Sequence, residues 1–303
     1  MTRSARRSSP RLVDEAMLRR WPLPKLGQDA DKTTRGDVLV VGGSTEIPGA
    51  VLLAGVAALR VGAGRVRIAT PRGAALAIAA TFPEARVIGL AQTQRGELSK
   101  ASVHRLRDEL DECSALVLGP GMRDHGPVPS ILSESIRANH GFTAVLDAAA
   151  LHVFRERKPL PHRSLAGVIA TPHAGEMADL WGCPREEVHQ HGLALAVEAA
   201  KKMGVTVVLK GTTTFIVDPD GSSFRNVAGN SGLATAGSGD TLSGMIAGLA
   251  ARGATPVQSA VWGVYLHAKA GDALKRKLGP LGYLARELSA ELPGLLRRLD
   301  KAS

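Results

Sequence analysis

From residue 36 onward, short unbroken apolar runs alternate with helical patterns, and this alternation limits the possible folds more than any other feature of the chain. VLVVGG (38–43), RVRIAT (65–70), ALVLGPG (115–121), TAVLDA (143–148), GVIATP (167–172) and VTVVLKG (205–211) predict strands buried on both faces. RVIGL (86–90) adds a further strand, followed by a charged helix over 98–110. GAVLLAGVAALRVG (49–62) predicts a helix, and a longer one covers 185–203. TTTFIVDPDGSSFRN (212–226) predicts a hairpin about its DPDG turn. Leu242, Met245, Ile246 and Leu249 follow i, i+3, i+4, i+7 spacing, so a helix starts near Asp240 and faces the core with that stripe. Further helices fill 255–277 and 284–299. Strand alternating with helix implies an α/β fold with a mainly parallel central sheet covered on both faces. In such folds ligands bind beyond the carboxyl ends of the strands, so the loops that follow each strand carry the chemistry.

Composition bounds the partners. The chain has 303 residues, 44% hydrophobic and 22% charged, and shows no linker after residue 36, which favours one domain over 36–303. The formal net charge of +10 suits anionic ligands, but only 3% of residues are aromatic, which leaves few platforms for stacking nucleic-acid bases. Arg3, Arg6, Arg7 and Arg11 lie in an opening segment without an apolar h-region. Residues 1–35 are therefore expected to be a basic flexible tail, with a transit peptide as the alternative. No run approaches the roughly 18 apolar residues of a membrane span. Cys113 and Cys183 are far apart and form no CxxC, as expected of reduced thiols in a cytoplasmic protein. His189 and His191 form an HQH that reads as a solvated helix end rather than a metal site.

The stretch NVAGNSGLATAGSGDTLSGMIAGLAARG (226–253) places seven glycines before and within a helix, together with one carboxylate, Asp240. The first N–H groups of a helix lack partners and carry partial positive charge, and glycines at Gly237 and Gly239, flanking Ser238, let an anion approach them. A carboxylate there would repel that anion. The conflict is removed if Asp240 is a general base acting on a hydroxyl while the glycines hold the phosphoryl group in transfer. The alternative is a helix-terminal acid that stabilises the dipole by about 0.3–1 kcal/mol. The sequence holds no GxxxxGK[ST], GxGxxG or GxSxG.

The same stretch closely resembles the signature of the ADP/ATP-dependent NAD(P)H-hydrate dehydratases of the ribokinase-like superfamily. GDVLVVGGSTEIPGAVLLAGVAALRVGAGRVRIAT (36–70), LVLGPGM (116–122), AVLDAAAL (144–151), ATPHAGEMADL (170–180) and VVLKGTTTFIVDPDG (207–221) agree with it in order. The resemblance implies a ribokinase-like three-layer α/β/α fold. It also implies a repair reaction: a reduced nicotinamide ring that has gained water is phosphorylated on the added hydroxyl by ADP or ATP with Mg2+, and phosphate then leaves. By that likeness Asp240 is the base, and Gly237, Ser238 and Gly239 form the anion hole. Lys210, Gly211, Thr212, Thr213 and Thr214 with Gly239 bind the nucleotide, while Ala50, Gly121, His173 and Asp240 contact the hydrated cofactor NAD(P)HX. The likeness assigns no direct metal ligand. Glu176 can instead cap the helix after TPH. Asn226 and Asn230 are expected to shape the glycine loop. Relatives of this kind form homo-oligomers, a tetramer among them, and work beside an NAD(P)H-hydrate epimerase, here expected to be a separate protein.

The chain departs from the pattern at three places. DADAL becomes Asp147-Ala148-Ala149-Ala150-Leu151, which removes the second acid and any contact made through it; TPHPGE becomes TPHAGE at Ala174; and Ile47 replaces an aromatic. Two other readings share GxGD or tolerate the altered loop. One is a small-molecule kinase of the hydroxymethylpyrimidine or hydroxyethylthiazole type, and the other is a nucleotide sensor without turnover.

Overall fold

The computed structural model describes residues 9–300 apart from 26, 28, 30, 124, 139–141 and 156–164. The basic stretch 1–8 lies outside the described residues. The elements in chain order are β1 (Arg11–Leu12), α1 (Glu15–Arg20), β2 (Asp37–Val41), α2 (Gly49–Arg60), β3 (Arg65–Pro71), α3 (Arg72–Thr81) and β4 (Arg86–Leu90). There follow α4 (Val103–Glu112), β5 (Ala115–Leu118), α5 (Val128–Ala138), β6 (Thr143–Leu146), β7 (Val168–Ala170), α6 (Ala174–Trp181) and α7 (Arg185–Met203). The chain closes with β8 (Thr206–Leu209), β9 (Thr214–Val217), β10 (Ser223–Asn226), α8 (Ser238–Ala251), α9 (Pro256–Leu278) and α10 (Ala285–Asp300).

The ten strands form one sheet in the order β1-β10-β9-β8-β7-β6-β5-β2-β3-β4. From β8 to β4 every pairing is parallel, while β9 is antiparallel to both of its neighbours. The unbroken apolar runs follow from burial on both faces. Val38 and Val40 enter one core with α2, α8, α9 and α10, and Leu39 and Val41 enter the other with α4 to α7. These two cores make the three layers. Strand order reverses at β2, which lies between β3 and β5 although it precedes both, and that switch opens a crevice beyond the carboxyl ends of β2 and β5.

The expected flexible tail is corrected by the structure over residues 11–23. β1 pairs with β10 through Arg11↔Phe224 and Leu12↔Arg225. The Asp14 side chain caps α1 by accepting from Met17 N–H at 2.7 Å, and Leu18 is fully buried. Trp21 stacks on Phe224 at 5.8 Å between centroids, and its carbonyl accepts from Trp262 Nε1 at 2.9 Å. Val13, Leu18, Trp21 and Leu23 supply the apolar surface that orders this strap, and the arginines interleaved with them mask it in the sequence. The HQH pair is solvated as expected, but it lies within α7, where His191 (φ −122°, ψ 23°) marks a kink. No group of three His, Cys, Asp or Glu side chains suited to a metal occurs among the described residues.

Candidate active site

Gly237 takes φ +86° as the N-cap of α8, a backbone conformation that disfavours a side chain, and a Cβ there would meet Leu53 at 2.4 Å. The first turn that follows is open-ended. Its earliest intrahelical donor is Thr241 N–H to Gly237 O at 3.0 Å, so the amides of Gly239 and Asp240 precede the helical ladder. A Cβ on Gly239 would lie 3.3 Å from Lys210 Nζ and 3.6 Å from Asp147 Oδ2. The missing side chain therefore leaves a gap between backbone donors and an ammonium, a cradle for an anion. Gly244 and Gly248 have a different cause. Cβ atoms there would meet the carbonyl oxygens of Ala54 and Ala58 at 2.0 and 2.6 Å, so these glycines let α2 and α8 pack backbone to backbone.

Asp147 ends β6 and anchors the site from below. Its Oδ1 accepts from Lys210 Nζ and from Thr171 Oγ1, each at 2.9 Å, and Ser243 Oγ lies 3.0 Å from Oδ2. Burial alone would raise this carboxyl, but the Lys210 charge and the hydroxyl donors hold it below the ordinary range. Burial likewise opposes the Lys210 charge, and Asp147 and Glu176 outweigh it, so the ammonium persists. Glu176 Oε2 lies 3.9 Å from Lys210 Nζ. Asp240 is pushed up to about 6, first by burial and then by Asp147 and Glu176, against the pull of Lys210. A carboxylate poised near neutrality beside an anion cradle can take a proton from a hydroxyl.

Parallel strands deliver the other residues to the same edge. Lys210 N–H donates to Pro172 O at 2.8 Å, and Lys210 forms a bridge with His173, so the ends of β7 and β8 are joined. His173 itself is exposed and caps α6: its Nδ1 accepts from Glu176 N–H at 3.1 Å, while its own N–H donates to Glu176 Oε2 at 2.8 Å. Both the substrate-contact reading of His173 and the capping reading of Glu176 are compatible with this geometry. Gly211 to Thr214 form the turn into β9, with Gly211 and Thr212 exposed, Thr213 and Thr214 half-buried, and Thr214 Oγ1 donating to Gly211 O at 3.3 Å. Ala50 and Gly121 meet at the crevice between β2 and β5, where a Cβ on Gly121 (φ +68°) would lie 2.9 Å from that of Ala50. A Cβ on Gly119 would sit 1.9 Å from Asp147 O, which links this crevice to the β6 end.

Asn226 Nδ2 donates to Ala228 O at 3.0 Å, and Asn230 Oδ1 accepts from Gly232 N–H and from Tyr283 Oη, so both asparagines shape the loop as expected. The altered DAAAL loop places Ala148 at φ +49°, the one positive-φ residue other than glycine among those described. Sequence reasoning passed over Thr171, Ser243 and His267. Ser243 falls one turn after Gly239, a spacing that puts it on the side of Asp147. His267 is a lone imidazole in the apolar run VWGVYLHAKAG, and only its contact with Ser238 distinguishes it from a core histidine.

The family model described as NAD(P)H-hydrate dehydratase matches residues 38–294. A relative from Xanthomonas campestris, an ADP-dependent (S)-NAD(P)H-hydrate dehydratase, is 44% identical over 96% of this chain and 98% of its own. The crystal structure of the ADP/ATP-dependent NAD(P)H-hydrate dehydratase from Bacillus subtilis, co-crystallised with ATP and Mg2+, superposes with a TM-score of 0.82 at 30% identity, covering 96% of this chain and 99% of that one. A ribokinase from Arabidopsis thaliana, at 12% identity over 86% of this chain and 99% of its own, shares the fold alone with a TM-score of 0.56. The architecture is thus ribokinase-like, and the chain belongs to the NAD(P)H-hydrate dehydratase family.

Proposed function

We propose that this protein is an ADP-dependent (S)-NAD(P)H-hydrate dehydratase, and that Asp240 is its base. The observation that carries the reading is a carboxyl raised to about 6 at the mouth of a glycine-lined helix start, with Lys210 Nζ beside Gly239. Asp240 takes the proton of the hydroxyl added to the nicotinamide ring. The freed oxygen bonds to the terminal phosphorus of ADP, the bridging P–O bond breaks, and AMP departs. The carbon–oxygen bond then breaks with phosphate as the leaving group and a ring proton is released, which restores the double bond. Hydroxide leaves poorly and phosphate leaves well, which is why a kinase fold serves a dehydration.

The amides of Gly239 and Asp240, with Lys210, hold the transferring phosphoryl where its charge develops. Gly211 to Thr214 and Gly239 bind the nucleotide, and Ala50, Gly121 and His173 bound the space for the hydrated ring. Mg2+ fits this site as a companion of the phosphates, because the Asp147 oxygens already face Lys210, Thr171 and Ser243. Glu176, half-buried beside Lys210, would hold it through its own waters, and its charge would neutralise the phosphate oxygens. Loss of the second acid at Ala149 is compatible with such indirect binding.

Incubation of hydrated NADH with ADP, Mg2+ and the protein should restore the absorbance of the reduced nicotinamide. Recovery with neither ADP nor ATP would refute the proposal. Accumulation of a stable phosphorylated alcohol would make the protein a small-molecule kinase, and tight ADP binding without chemistry would make it a sensor.

A further inference from the structure

His267, in the middle of α9, is half-buried and reaches the first residue of α8: its Nε2 lies 3.1 Å from the Ser238 carbonyl oxygen and 2.9 Å from Ser238 Oγ. The Ser238 carbonyl and the Gly239 N–H belong to one peptide unit. That unit is planar and trans, so the two groups point in opposite directions and fixing one fixes the other. The peptide opens the ladder of α8 between a Gly237 in the left-handed region and Gly239, and His267 supplies the side-chain contact to its carbonyl. We propose that His267 is a positioning residue that donates from Nε2 to the Ser238 carbonyl and thereby aims the Gly239 N–H at the phosphoryl group in transfer.

The same bond polarises the peptide and strengthens the opposite N–H as a donor. Burial pushes the imidazole down to about 4, against the bond to Ser238, so it is neutral at working pH and carries a single ring proton. Only the tautomer protonated on Nε2 performs this role. The inference rests on the phosphoryl-transfer reading of the site, but one of its tests does not.

In the full-length protein, ring ¹⁵N shifts of His267 should show the proton on Nε2 whether or not any substrate is turned over; a proton on Nδ1 would overturn the proposal. His267→Leu should lower kcat at least about tenfold, a part of the roughly 10²–10³-fold that loss of a whole oxyanion donor costs. Its Kd for ADP, measured by calorimetry, should stay within about threefold. His267→Gln, whose amide N–H can occupy the Nε2 position, should restore kcat to within about threefold of the parent. A Leu variant with parental kcat, or a Gln variant no better than Leu, would show that His267 only fills space. Absence of turnover in the parent protein would count against the dehydratase reading and leave the tautomer result standing.

Discussion

At the scale of the residue, Asp240 shows how reactivity and stability oppose each other. Its carboxyl is raised from 3.8 to about 6 by burial and by the neighbouring carboxylates. The unfolded chain therefore releases this proton at lower pH than the folded one. The resulting loss of stability begins as pH rises through the unfolded value and is complete above the folded one. At about 1.4 kcal/mol per unit, the ionised site costs on the order of 2–3 kcal/mol. Asp240→Asn removes both the base and that cost. Turnover should fall by about 10²–10⁴-fold, while the midpoint of thermal unfolding at neutral pH should rise. In the parent protein kcat/KM should decline as pH falls through about 6, where Asp240 of the free enzyme takes up its proton. A variant with near-parental turnover, or a flat profile between pH 5 and 7, would remove Asp240 from the chemistry.

At the scale of the element, the contact of α2 with α8 shows why one glycine-rich stretch serves two purposes. Gly237 and Gly239 open the helix start, whereas Gly244 and Gly248 press on the backbone carbonyls of Ala54 and Ala58. Alanine in a helix interior is favoured over glycine by about 1 kcal/mol. At Gly244 the added methyl would lie 2.0 Å from Ala54 O, and no rotamer can relieve it. Gly244→Ala should therefore destabilise the protein by roughly 2 kcal/mol or more in urea unfolding, against its propensity. Gly294→Ala, in α10 with open space around it, should be neutral or stabilising, and equal effects at the two positions would deny the packing argument. The sequence made the buried strands legible because a strand covered on both faces has no polar alternation, and it made the DPDG hairpin legible through its turn. It left out α3 and α5, of ten and eleven residues, too short for their pattern to stand clear of the loops around them. The pair of Asp147 and Lys210, 63 positions apart, was equally invisible, because only the sheet order brings the two strand ends together.

At the scale of the whole molecule, α9 joins regions that look independent in the sequence. Trp262 and Gln258 on this helix donate to Trp21 O and Pro22 O of the N-terminal strap, at 2.9 and 2.8 Å, and His267 just beyond one turn later reaches Ser238. The strap also covers the edge of β10, which would otherwise present unpaired backbone. A segment so placed should unfold with the core rather than ahead of it. Leu18→Ala tests this, since Leu18 is fully buried within the cluster that contains Trp262 and Leu266. The substitution should cost about 2–5 kcal/mol, and in a Trp181→Phe background, which removes the tryptophan of α6, it should shift the tryptophan fluorescence and far-ultraviolet circular dichroism transitions in denaturant together, because Trp21 and Trp262 report on the strap and its contact with α9 and the helices report on the core. If the strap were an appendage, the fluorescence change would move to lower denaturant while the helical transition stayed in place, and the coupling through α9 would be lost with it.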